Sequence, residues 1–340
     1  MKKLAFPIVI LLLAALIVGL YALNNRSEQV EILDSTQTQT TPPPELSTTT
    51  STEDERALLP SVTEVETWTQ FSESISEEQN FAPGIIPLHE GGYRIYWNDY
   101  DLGGITSAVS EDGINFELEE GTRIGLLEDN TDCFASHPWF IQTDNGYRAY
   151  YNGVCDSDQS KNIFGVFKIF SAISEQGLDF TSESVVVDFG EENGLTHAGH
   201  GRIIQLEDGT YRLFFSANFI GIDAPADILG ASSTDGIEWE LDESPILIMG
   251  HDPAIVYLDG VYHMFSSFLS KNMLHLTSID GYNFEIESWV EFYDSEGNIF
   301  EAFGDVEALV LSNGDLVIYG AGKLEGEEKG YPGLIIMKKE

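Results

Sequence analysis

The stretch Gly250-His251-Asp252-Pro253 sets an imidazole and a carboxylate at the entry of an apolar strand, with a proline ring fixing the backbone behind them. Such a pair can transfer a proton, bind a ligand, or cap the backbone at a polar strand start. Related groups recur elsewhere: His137 before Pro138, the run His197-Ala-Gly-His200, and Asp305 and Glu307 flanking Val306. The imidazoles of His137, His200 and His251 suit binding of hydroxyls, tuning of a carboxylate or ligation of a metal. The His197 to His200 spacing is compatible with ligation, but no full ligand set accompanies it, so no metal is assigned.

The elements that carry these groups belong to an internal repeat. AVSEDGINF (108–116), AISEQGLDF (172–180), ASSTDGIEW (231–239) and LTSIDGYNF (276–284) align without gaps. A serine (Ser110, Ser174, Ser233, Ser278) stands three residues before a glycine (Gly113, Gly177, Gly236, Gly281), and an aromatic residue follows three later (Phe116, Phe180, Trp239, Phe284). This is the pattern of two strands joined by a tight turn, with glycine at the positive-φ position. The serines are therefore turn residues and not nucleophiles.

A second series of strands is entered from Gly92, Gly146, Gly209, Gly260 and Gly314, which makes five units against four Asp-Gly-type turns. The fifth unit stops before its outer strand, and EVETWTQF (64–71) has a strand pattern with no partner of its own. The expectation is an all-β, five-bladed β-propeller over 62–340, its last blade completed by 64–71 so that the closed ring leaves no open sheet edge. A β-sandwich with fortuitous repeats is the alternative. Cys133 and Cys155 flank the Asp144–Gly146 turn almost symmetrically, so antiparallel strands should bring them opposite one another as a disulfide.

Lys2 and Lys3 precede an uncharged run, Leu4 to Leu23, long enough to cross a bilayer, so 1–23 reads as a signal anchor or signal peptide. The basic flank directs the remainder outside the cytoplasm, where a disulfide is stable. Residues 24–61, rich in Ser, Thr and Pro, read as a disordered linker. The 57 acidic against 16 basic residues give a net charge of −41, which repels nucleic acid. Weak calcium capture would suit so many carboxylates, but a solvated acidic surface is the more ordinary explanation.

The S-x-DG-x-x-F/W turns, the DG-x-Y-x-x-F/Y hairpins and the HDP strand start resemble the five-bladed propellers of glycoside hydrolase family 43 and its relatives in families 32, 62, 68 and 130, over residues 66–340. The resemblance implies a site at the narrow end of the central channel, where the first strand of each blade begins: Ala82-Pro83, His137-Pro138, His200-Gly201, His251-Asp252-Pro253 and Asp305-Val306-Glu307. In that family an Asp base lies in an HDP-like element of the first blade, a second Asp tunes the acid from the second, and a Glu acid comes from the third. This chain departs from the pattern, with Ala82, His137 and His200 at those stations, its HDP on the fourth blade and its candidate Glu on the fifth. Only Asp252 carries over by motif.

The implied activity is extracellular hydrolysis of an oligo- or polysaccharide by two carboxyl groups, one protonating the leaving oxygen and the other activating water or attacking the sugar. Asp252 is the expected base or nucleophile. Glu307 or Asp305 is the expected acid, only one of them pointing into the channel, with Glu301 as a substitute. His137, His200 and His251 would bind sugar hydroxyls, and Trp97 and Trp139 would stack on a sugar ring. No cofactor is required, and a structural calcium ion is compatible with the acidic composition. The competing expectation is a non-catalytic propeller that binds glycans or another surface partner, having lost the acids at three stations.

Overall fold

The computed structural model describes residues 62–72, 74–75, 81–99, 104–125, 134–155, 166–187, 194–219, 226–268, 272–326 and 334–339. The expected anchor (1–23) and linker (24–61) lie outside the described residues, as do Cys133 and the side chain of Cys155. Among the described residues there are twenty strands, and no helix is long and apolar enough to cross a membrane.

The strands form five antiparallel units of four. Strand β1 (Val65–Gln70) is the first of the described strands. Unit 1 follows with β2 (Phe81–Pro87), β3 (Tyr93–Asp99), β4 (Gly104–Ser110) and β5 (Glu117–Ile124). Unit 2 is β6 (Phe134–Thr143), β7 (Gly146–Cys155), β8 (Val166–Ser174) and β9 (Thr181–Val187). Unit 3 is β10 (Leu195–Gln205), β11 (Tyr211–Phe219), β12 (Asp227–Ser233) and β13 (Glu240–Leu241). Unit 4 is β14 (Gly250–Leu258), β15 (Val261–Phe268), β16 (Asn272–Ser278) and β17 (Glu285–Tyr293). Unit 5 takes β18 (Phe300–Val310), β19 (Leu316–Leu324) and β20 (Ile335–Lys339), and β1 returns to pair antiparallel with β20, Trp68 opposite Lys339. β1 also pairs in parallel with β17, which joins units 4 and 5 into one eight-stranded sheet.

Units 1 to 4 repeat the same local chemistry. The hydroxyl oxygens of Ser110, Ser174, Ser233 and Ser278 accept the backbone N–H of Gly113, Gly177, Gly236 and Gly281 at 2.9 to 3.0 Å. The turn glycines serve a second purpose at the joints between units. Gly177 and Gly236 have φ of 72° and 73°, and a Cβ on either would lie 2.7 or 2.6 Å from the hydroxyl oxygen of Tyr96 or Tyr150. Those hydroxyls donate to the glycine carbonyls of the next unit, Tyr96 to Gly177 (2.8 Å) and Tyr150 to Gly236 (3.0 Å). Tyr319 of unit 5 does the same to Gly113 of unit 1 (2.7 Å), which closes a ring.

The apolar cores follow this ring. Of five buried clusters, one lies in each joint between neighbouring units: Trp139 and Tyr150 pack with Leu213 and Phe215 between units 2 and 3, and Ile95 and Trp97 with Val317 and Tyr319 between units 5 and 1. The inner strands β2, β6, β10, β14 and β18 contact one another in sequence around the centre. Their first residues are thereby brought together.

Candidate functional site

Every inner strand is broken near its start. The pairing with the second strand jumps from Phe81 to Gly84, Ser136 to Trp139, Gly199 to Arg202, His251 to Ala254 and Gly304 to Glu307. Each jump leaves two residues out of the ladder, as a β-bulge does. The first of the two, Ala82, His137, His200, Asp252 or Asp305, adopts a left-handed backbone with φ of 53°, 47°, 53°, 52° and 50°. His and Asp tolerate this conformation better than most residues, whereas alanine does not gain from it. Five repeats of a strained conformation at one place mark a site.

The preceding unit holds the strained backbone. The His137 N–H donates to Asn98 Oδ1 of unit 1 (2.8 Å), and the Asp252 N–H to Ser216 Oγ of unit 3 (3.0 Å). Asn98, Asn152, Ser216 and Ser267 occupy matching positions on the second strands, opposite Phe81, Ser136, Gly199 and His251. This polar residue closing an apolar strand was visible in the sequence as the last letter of YRIYWN, YRAYYN and YRLFFS.

Four of the five stations carry polar side chains, and these meet. Asp252 lies between two imidazoles: its Oδ1 faces His200 Nδ1 and its Oδ2 faces His251 Nδ1 at 2.8 Å. The rings of His137 and His200 are 3.9 Å apart at their centroids, and those of His200 and His251 4.5 Å. The His251 side chain is 32% exposed against 15% for Asp252, so it stands on the solvent side of the cluster. Ala82, the fifth station, contributes no polar group.

The electrostatics separate the two aspartates. Burial disfavours the Asp252 carboxylate, but the charges and hydrogen bonds of His200 and His251 outweigh it and hold the group well below the ordinary 3.8. Burial and the Asp252 charge push Asp305 up to about 6, against the pull of His200, His251 and Arg202. Burial and the neighbouring His200 hold His137 well below 6.5, so it is neutral. His251 is raised: burial opposes its charge, and Asp252 overcomes that.

Asp305 belongs to this cluster and Glu307 does not. The bulge at Asp305 and Val306 interrupts the two-residue period of β18, and Glu307 turns to Arg202, its Oε2 2.7 Å from Nε. Burial pushes Glu307 up to about 7 while Arg202 pulls it down. Glu307, the other acid the sequence offered, thus lies against Arg202 and apart from the imidazoles. Glu301 lies exposed on β18, 3.6 Å from Lys323. The expectation for Trp97 and Trp139 is corrected: at 3% and 2% exposure they are core residues of the unit joints, with no face open to a sugar. The side chain of His197 is outside the described residues.

Donor atoms of His137, His200 and Asp305 lie within 4.8 Å of one another, as do those of His200, His251 and Asp252. In the second set both Asp252 oxygens already face imidazole nitrogens, which is the arrangement of a hydrogen-bonded base. The first set has the donor chemistry of a divalent ion with N and O ligands, and equally that of a carboxylic acid lying against two imidazoles.

No protein-family profile matches the sequence, and no curated protein matches it. Solved structures do resemble it in fold. A family 117 glycoside hydrolase from the marine bacterium Zobellia galactanivorans superposes with a TM-score of 0.61 at 16% identity, over 81% of this chain and 90% of that one. An α-L-arabinofuranosidase from Lactobacillus brevis gives 0.61 at 11% identity, over 77% and 90%. A thermostable family-43 glycoside hydrolase gives 0.55 at 16% identity, over 77% and 89%. The likeness is one of fold: the chain shares the all-β architecture of these glycoside hydrolase structures.

Proposed function

We propose that this chain is a five-bladed propeller that hydrolyses glycosidic bonds in an oligo- or polysaccharide, with Asp252 and Asp305 as its two carboxyl groups. The observation that carries the reading is their pairing in one axial cluster with protonation pushed in opposite directions, Asp252 down and Asp305 up to about 6. Two carboxyls so separated are what acid and base roles on a sugar require. Asp305 delivers its proton to the leaving oxygen. Asp252, held ionised by His200 and His251, takes a proton from the attacking water or attacks the anomeric carbon directly. His137, neutral, and His251, nearest to solvent, bind sugar hydroxyls. The place of action is outside the cytoplasm on a membrane anchor, supported by Lys2 and Lys3 before the uncharged run to Leu23 and the linker to residue 61.

One observation favours a second reading, a glycan-binding propeller without turnover. Both oxygens of Asp252 already face imidazoles, and a carboxylate so engaged must give up a partner before it can act. The two readings separate on a panel of aryl glycosides and polysaccharides given to the wild type, Asp252→Asn and Asp305→Asn. Hydrolysis that falls by about 10²-fold or more in both variants, with glycan binding retained, supports the hydrolase. Hydrolysis untouched by either substitution sinks it, and binding without turnover in the wild type establishes the second reading.

A further inference from the structure

Arg202 was not among the residues that stand out in the sequence, yet it occupies the centre of the ring. It belongs to unit 3, whose neighbours are units 2 and 4. Its Nη2 nevertheless donates to the carbonyl of Pro83 in unit 1 (3.1 Å) and of Val306 in unit 5 (3.0 Å). Units 1 and 5 meet on the far side of a five-membered ring, so the side chain crosses the axis. Nη1 donates to the Gly201 carbonyl at 2.8 Å, and Nε faces Glu307 at 2.7 Å. The three carbonyls share one origin. Pro83, Gly201 and Val306 are the second bulged residues of units 1, 3 and 5, whose backbone groups the bulges remove from their ladders. A planar fork of five N–H groups can satisfy all of them together with a carboxylate, which the single ammonium of lysine cannot.

We propose that Arg202 is a positioning residue for the axial carboxyl pair: it plugs the centre of the ring, fixes the backbone that carries Asp305, and supplies the positive charge against which Asp305 holds its proton. The proposal rests on the reading of Asp305 as the acid. Val306, whose carbonyl Arg202 grips, is the next residue after Asp305, so the contact constrains the strained station directly. The charged and titratable groups around Asp305 are Asp252 and His251 on β14, His200 and Arg202 on β10, and His137 on β6. Burial and Asp252 favour the protonated acid, and Arg202 is among the groups that oppose them. Without that cation Asp305 should keep its proton to higher pH.

The test is a titration that does not depend on turnover. The ¹³C carboxyl signal of Asp305, identified by its loss in Asp305→Asn, is followed against pH in the full-length wild type, Arg202→Met and Arg202→Lys. Arg202→Met should raise the midpoint, by less than loss of the His200 or His251 charge would, since Arg202 makes the smallest of the three cationic contributions. Arg202→Lys should keep it near the wild-type value while the lost fork lowers kcat by about tenfold at unchanged KM. A midpoint that stays or falls in folded Arg202→Met overturns the proposal. Where Arg202→Met does not fold, Arg202→Lys decides: wild-type kcat in that variant overturns it. If the midpoint moves as expected in a protein that hydrolyses no glycan, the electrostatic assignment stands and the hydrolase reading falls.

Discussion

A carboxyl group held protonated in the folded protein makes stability depend on pH in a definite direction. Folded Asp305 keeps its proton up to about pH 6, whereas the unfolded chain releases it near 3.8. Between those values the unfolded state binds fewer protons, so stability falls as pH rises, by ~1.4 kcal/mol per pH unit. The loss is complete above the folded value and amounts to ~3 kcal/mol. Asparagine has nearly the same shape and no proton to lose, so Asp305→Asn escapes the penalty. The wild type and the variant would be unfolded in urea at about pH 4.5 and again at about pH 8, with the stability gap between them expected to move by about 2 kcal/mol in favour of the variant at the higher pH. Asp252 is ionised at both pH values and cancels from the comparison. A gap that does not change with pH, or one that moves toward the wild type, would refute the reasoning. The same substitution should abolish hydrolysis of substrates with poor leaving groups, so one residue would be destabilising and necessary at once.

Two further outcomes are expected. Dialysis against EDTA should leave glycan hydrolysis unchanged if Asp305 acts as the acid against the imidazoles of His137 and His200; loss of activity restored by a divalent ion would make the three ligands instead. Ala82→Gly should stabilise the protein by about 1 kcal/mol, since φ at this station is 53° and glycine alone adopts it without strain; thermal unfolding of the two proteins measures it, and a lower Tm in the variant would show that the station is not strained.

Much of the frame can be read from residue types. The Ser-x-x-Gly spacing specifies a hydroxyl that accepts the glycine N–H, and the structure has that bond in all four turns. The strand starts at Ala82, His137, His200, Asp252 and Asp305 are legible because proline or glycine comes directly after four of them. The reorientation that a bulge imposes is not legible. Asp305 and Glu307 are two residues apart, and only the extra unpaired residues of β18 set one among the imidazoles and the other against Arg202. Trp97 and Trp139 mislead for a related reason: an aromatic residue beside the channel mouth reads as a ring for stacking, but the joint between units buries it first. Arg202 escapes notice because a single arginine in a strand ordinarily lies at the surface. Its partners are carbonyls of units 1 and 5, about a hundred residues away in either direction.

The doubled pairing of β1 bears on how the chain is made. During synthesis β1 emerges before every other strand, while its partners β17 and β20 begin at Glu285 and Ile335. Trp68, fully buried against Phe265 in the finished molecule, has none of its core neighbours until translation reaches unit 4. The nascent chain thus carries a strand with two unmade ladders past three completed units, a state in which pairing with another molecule competes with closure. A circular permutant with β1 placed behind β20 would turn this closure from the most distant contact in the chain into a local one. The axial cluster, built wholly from inner strands, would be unaware of the change.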